Sequence, residues 1–145
     1  MKAPRLFLCL LIPATVIIAS SCTNWLNDLT GGGSPNKPST TSTTDTFNGT
    51  LAPNGSLVFT FSVATAGSVA VTLTAVSPPT TGPLGLGVGP SNLGNCTIAS
   101  STSGATAGAS SQLSATENPG NYCVKISDSG SLMATSTVTV TVSHP

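Results

Sequence analysis

The chain has 145 residues, and only 6% of them are Asp, Glu, Lys or Arg, against about a quarter in ordinary globular domains. Its basic residues, Lys2, Arg5, Lys37 and Lys125, are too few and too scattered to neutralise a run of phosphates, which excludes a nucleic-acid partner. Ser and Thr occupy the polar positions that charges usually hold, so solubility rests on hydroxyls.

At the N-terminus, Lys2 and Arg5 precede an apolar run from Leu6 to Ala19. A membrane-spanning helix needs about 20 apolar residues, and this run is shorter and interrupted by Pro13. Residues 1–21 are therefore expected to be a cleaved signal peptide. The sequence Ala19-Ser20-Ser21-Cys22 resembles the bacterial lipobox, in which a small residue precedes a cysteine that takes a diacylglycerol before cleavage. The resemblance implies that Cys22 is the lipidation site and that acyl chains such as palmitate anchor the protein in a membrane. Ala19-Ser20-Ser21 also satisfies the small-x-small rule of an ordinary secretory signal, so release after Ser21 stays open. Removing the segment leaves Lys37 and Lys125 against Asp28, Asp45, Glu117 and Asp128, a slightly acidic remainder.

Residues 22–44 run through Gly31-Gly32-Gly33-Ser34-Pro35 into a Ser/Thr tract ending at Thr44, a composition that reads as a flexible tether. Trp25, Leu26 and Leu29 suit either the headgroup level of a membrane or a plain unstructured end.

From Thr46 the pattern changes to period two, the mark of half-buried strands, which sets a domain over 45–145. In Leu57-Val58-Phe59-Thr60-Phe61-Ser62-Val63 the odd positions are large and apolar. Val69, Val71 and Leu73 continue the alternation beyond the Ala66-Gly67 turn, so the two segments are expected to form a hairpin. Pro78-Pro79 stops the strand, because proline cannot donate to a ladder. Leu84, Leu86 and Val88 alternate with Gly85, Gly87 and Gly89, which predicts a bulge, a bend or another backbone lying close. Ser100–Ser111 lacks periodicity and is expected to be a long loop or a poorly ordered strand connection. Pro119-Gly120 turns into Tyr122, Val124 and Ile126, and Val138, Val140 and Val142 close the pattern. The fold class is all-β: a small antiparallel β-sandwich.

The cysteines divide cleanly. Cys9 leaves with the signal, Cys22 is the acylation site, and Cys96 and Cys123 remain as an even pair in an oxidising compartment, where they are expected to form a disulfide. A metal or redox pair finds no CxxC spacing and no nearby His.

Four segments in order, Phe47-Asn48-Gly49-Thr50-Leu51, Phe59-Thr60-Phe61-Ser62-Val63, Gly67-Ser68-Val69-Ala70-Val71-Thr72-Leu73 and Pro119-Gly120-Asn121-Tyr122-Cys123-Val124-Lys125-Ile126, resemble the bacterial pre-peptidase C-terminal domain. The likeness covers about Asp45 to Ser143 and implies a jelly-roll sandwich that acts as a non-catalytic module of secreted and surface proteins. Val138 and Val140 stand where that family often has an aromatic, and the acidic calcium ligands of its collagen-binding members have no clear counterpart here.

Triad catalysis needs a His within reach of a nucleophile, and the only histidine, His144, is next to the C-terminal residue Pro145, where a frayed end is expected. Glu117 and Asp128 flank the Tyr122 strand too far apart to share a glycosidic bond and are expected to keep turns solvated. Asp45 and Asp128 with backbone carbonyls give no calcium spacing. Phe59, Phe61 and Tyr122 read as core rather than as a sugar-stacking face, and Asn48-Gly49-Thr50 and Asn54-Gly55-Ser56 read as turns. The expectation is a non-enzymatic cell-envelope lipoprotein, without catalytic residues, metal or cofactor, placed at the outer membrane or cell surface. Its sandwich would contact envelope components or a protein partner. The alternative is a secreted accessory module that binds polysaccharide.

Overall fold

The computed structural model describes residues 41–145, which form nine β-strands and no helix. They are β1 (Thr43–Leu51), β2 (Ser56–Val63), β3 (Gly67–Ser77), β4 (Leu84–Asn92), β5 (Asn95–Cys96), β6 (Ser100–Ala105), β7 (Leu113–Glu117), β8 (Gly120–Ser127) and β9 (Ser136–His144). One antiparallel sheet has the order β1-β9-β3-β7, and the other β2-β8-β4-β5, with β6 also on β4. β5 pairs with Ser91 and Asn92 and β6 with Leu84 to Val88, so the two act as one kinked strand along β4. Counted that way, eight strands form a jelly-roll sandwich in which only the β4–β5 connection is a hairpin within a sheet.

The core is what the alternation predicts. Val69, Val71 and Leu73 on β3, Leu84, Leu86 and Val88 on β4, Val124 and Ile126 on β8, and Val138, Val140 and Val142 on β9 are all buried between the sheets. In β3 the register slips between Leu73 and Ala75, a bulge that brings Val76 rather than residue 75 toward the interior. The strand ends at Ser77, before the two prolines.

Several expectations are corrected. Residues 57–63 and 69–73 do not form a hairpin: β2 pairs with β8, whereas β3 pairs with β9 and β7, so the Ala64–Ala66 link crosses from one sheet to the other. Period two fixes which face of a strand is apolar and says nothing about its partner. Ser100–Ser111 is not all loop, since residues 100–105 pair with β4. That strand shows no apolar alternation because only Ala105 is buried. Thr43 and Thr44, assigned to the tether by composition, pair with His144 and Ser143. Asn48 and Gly49 lie within β1 rather than in a turn, and a Cβ on Gly49 would stand 2.8 Å from Leu57 Cδ1 and 2.9 Å from Phe59 Cζ. Leu57 and Phe59 are half-buried because β1 and β2 are both edge strands, and the Phe47–Phe59 stack, with centroids 5.1 Å apart, closes the seam between them. Export segment, Cys22, Trp25, Leu26 and Leu29 lie outside the described residues.

The two poles of the sandwich differ. The chain enters β1 at the pole that holds His144 and Pro145, where the links 64–66, 93–94 and 118–119 are short. The opposite pole carries the longer links 78–83, 106–112 and 128–135.

Phe61 is 5% exposed whereas neighbouring Thr60 faces solvent. Phe61→Ala is therefore expected to cost about 3–5 kcal/mol, and Thr60→Ala less than about 1 kcal/mol, in denaturant unfolding. A one-residue slip of register would exchange the two results.

Candidate functional site

On β4, Gly85, Gly87 and Gly89 turn to the outer face, opposite Ser127, Lys125 and Cys123 of β8. Side chains of ordinary size would pack across this face, and three alternate positions have none. Cys123 is bonded to Cys96, with Cα atoms 5.7 Å apart, which carries residues 97–99 against the glycines. Thr97 N donates to Pro90 O at 3.1 Å and Ala99 N to Val88 O at 2.9 Å. A Cβ on Gly89 would stand 1.9 Å from the Thr97 carbonyl oxygen, so no other residue fits without moving that backbone. On Gly87 it would meet the Ile98 side chain at 3.0 Å. The close backbone approach predicted from the alternating glycines is present.

Beside this cover lies a groove of about 630 Å³. Gly85 and Gly87 form its floor, Ile98, Ser101 and Ser103 one side, and Lys125, Ser127 and Ser129 the other. Lys125 is half-buried and is the only Lys or Arg among the described residues. No carboxylate of the described residues lies within ion-pair distance of it; the one contact at such a distance joins His144 and Asp45. The acid nearest in sequence, Asp128, is turned away. Its Oδ2 accepts from Asn54 N at 2.8 Å, and its Oδ1 accepts from Ser131 N at 2.8 Å and Leu132 N at 3.2 Å. Burial pushes this carboxyl up, but the N–H groups of Asn54, Ser131, Gly130 and Leu132 outweigh it and hold the group below the ordinary carboxylate value. Asp128 thus latches the 52–55 and 129–135 links together, a correction to its expected role of keeping a turn solvated. The groove combines serine hydroxyls, one uncompensated cation and one aliphatic side chain, an arrangement suited to hydrogen-bonding a hydroxyl-rich or anionic ligand.

The other candidates sit elsewhere. His144 is not a frayed end: it is the last residue of β9, on the same inward face as Val142, and is buried against Phe61 with ring centroids 5.3 Å apart. Its Nε2 donates to Asp45 Oδ2 at 3.1 Å. The Val138, Val140, Val142 alternation continues to 144 and was the signal for this placement. Phe61 also stacks on Tyr122, whose hydroxyl donates to Asn118 O at 2.9 Å. Burial, and after it the charge of Glu117, pushes the Tyr122 phenol above its ordinary value, so it stays a neutral donor. Glu117 ends β7 at the His144 pole, and Asp128 lies at the opposite pole. Cys22 is outside the described residues.

No protein-family model matches the sequence, and no curated protein matches it.

Reduction of Cys96–Cys123, which closes a loop with a sequence separation of 27, removes about 3.5 kcal/mol in the chain-entropy account. The melting temperature of the reduced protein is expected to fall by at least ~10 °C in calorimetry.

Asp128 gives a pH dependence of definite sign. A carboxyl whose folded pKa is depressed contributes stability that is complete above its unfolded value, about 3.9, and is lost as pH falls below it toward the folded value. Thermal melts across the acid range are expected to show wild-type stability dropping below about pH 4. Asp128→Asn should melt lower at neutral pH and show a shallower acid drop.

Proposed function

We propose that the chain is a non-enzymatic cell-envelope lipoprotein. In this reading residues 1–21 are removed, Cys22 is acylated, residues 22–44 tether, and the jelly-roll domain contacts an envelope component through the groove on its second sheet. The observation that carries the binding role is Lys125, half-buried and without an ion-pair partner among the described residues, above a floor of glycines and beside serine hydroxyls. An anionic, hydroxyl-bearing partner supplies both the missing counter-charge and the hydrogen bonds. The resemblance to the pre-peptidase C-terminal domain supports a non-catalytic module, and the eight-stranded sandwich is of the kind that the resemblance implies. Thr23, rather than Asp, follows Cys22, which favours the outer membrane or cell surface. The second reading, a secreted polysaccharide-binding module, draws on the same hydroxyls and on the alternative cut after Ser21.

Metabolic labelling with a fatty acid and fractionation separate these readings. Wild type is expected to take up label and sediment with membranes, and Cys22→Ala to do neither. Equal labelling of both forms, or of neither, overturns the lipoprotein reading. Affinity electrophoresis in polygalacturonate and in neutral dextran addresses the groove. Retardation by the anionic polymer that disappears in Lys125→Gln is the expected result. No retardation of wild type by either polymer would remove polysaccharide as the partner class.

A further inference from the structure

The β4–β5 hairpin ends in Asn92-Leu93-Gly94-Asn95, with Asn92 and Asn95 paired. Leu93 has φ 49° and Gly94 φ 83°, so both central residues are left-handed, as the tight twist of a two-residue hairpin requires. Glycine accepts this conformation freely and Asn or Asp with little cost, whereas a leucine there is a genuine outlier. The Leu93 side chain is 104% exposed, so no packing within the domain offsets the strain. An exposed leucine by itself is ordinary. A leucine held in an unfavourable backbone conformation with nothing covering it points to a contact outside the domain.

Its position says which contact. The tip lies at the pole where the chain enters β1: Thr43 pairs with His144, Ala64 N donates to Pro145 O, and Pro90 pairs with Tyr122, itself opposite Phe61. Ala64, Ala66 and Pro119 are exposed on the neighbouring links. Of the two acids at this pole, Asp45 is engaged by His144, which leaves Glu117. Met133, the other large and almost fully exposed apolar side chain, is in the 128–135 link at the far pole.

We propose that this pole faces a lipid bilayer and that Leu93 dips into the boundary between headgroups and acyl chains. The proposal rests on the reading that Cys22 is acylated. Cys22 stands 21 positions before Thr43, a distance of at most about 75 Å even in a fully extended chain, and the chain joins the domain at the Leu93 pole. An anchor at Cys22 therefore confines the domain to within about 75 Å of the membrane, and its chain joins the domain at this pole. One leucine is too small a group to recruit a free protein, but on a domain already confined to the surface it decides orientation.

The test uses the full chain purified from membranes and reconstituted into phosphatidylcholine–phosphatidylglycerol vesicles. Trp25, the only tryptophan, is replaced by Phe, and a reporter is introduced by Leu93→Trp or, as control, Met133→Trp. With brominated acyl chains, emission at 93 is expected to shift to the blue and to lose several times more intensity than emission at 133. Equal quenching at both positions, or none at either, in protein that carries fatty acid and floats with the vesicles overturns the proposal and leaves the anchor reading standing. Protein without fatty acid that fails to float overturns both. Leu93→Asn, with a side chain that tolerates left-handed backbone, is expected to melt no lower than wild type. A clear loss of stability would mean that Leu93 serves the domain itself and would also overturn the proposal.

Discussion

The Thr97 carbonyl oxygen lies where a side chain on residue 89 would have to begin, 1.9 Å from the ideal Cβ position. That contact makes the outer face of the second sheet what it is. With glycine at 89 and 87, residues 97–99 between β5 and β6 bend over β4, and Thr97 and Ala99 keep their bonds to Pro90 and Val88 through the bend. The disulfide fixes the start of this segment and covers Cys123, which would otherwise be a small side chain on an exposed face. Where the cover stops, the glycine floor stays open, and the groove beside Lys125 is the remainder. Groove and staple are two results of one packing decision, so the staple cannot be separated from the shape of this face.

A domain with so few charges must account for each one. Asp128 is compensated by backbone N–H groups, and Asp45 by His144 across the β1–β9 pair. Glu117 sits near Tyr122 and acts on its phenol. Fully buried charge without a partner is unfavourable. Against that background Lys125 stands out: it is on the outer face of a central strand, in a groove, and no carboxylate of the described residues reaches it. The same lysine on an ordinary charge-rich surface would carry no information.

The sequence pattern was legible where one face of a strand is apolar and the other hydroxylic. β2, β3, β8 and β9 follow the alternation almost residue for residue, and the prolines after Ser77 and the glycines of β4 gave their meaning directly. Partners were not legible. A jelly roll sends nearly every connection across to the other sheet, and a three-residue link such as Ala64–Ala66 serves a sheet-to-sheet crossing as well as a hairpin. β6 was hidden because a solvated strand of Ser, Thr and Gly has no hydrophobic period, and β7 because it has only Leu113 and Ala115 to show. His144 was misjudged by its distance from the terminus, although the valine alternation ran through it. The groove could not be read at all: its floor was visible as glycines, but its walls come from β6 and β8, which only the fold brings together.

Among the described residues, two other than glycine have positive φ, Asn54 at 57° and Leu93 at 49°, and the contrast between them separates what the fold explains from what it leaves over. Asn54 belongs to a residue type that accepts the conformation, and its N–H is bonded to the buried Asp128 carboxylate, so the turn contributes to the latch at its own pole. Leu93 has neither property. Its side chain touches nothing that would hold it, and any of the residues common at such a turn would relieve the backbone. The two poles of the domain thus differ in kind. At one, long links are tied together by a carboxylate, and Asn54, the non-glycine residue with positive φ there, is bonded to it. At the other, where the chain enters, the turns are short and uncharged at their tips, and the one strained residue is apolar and turned outward. Contacts within the domain account for the latch at the first pole, and at the second they leave the strain at Leu93 without a partner.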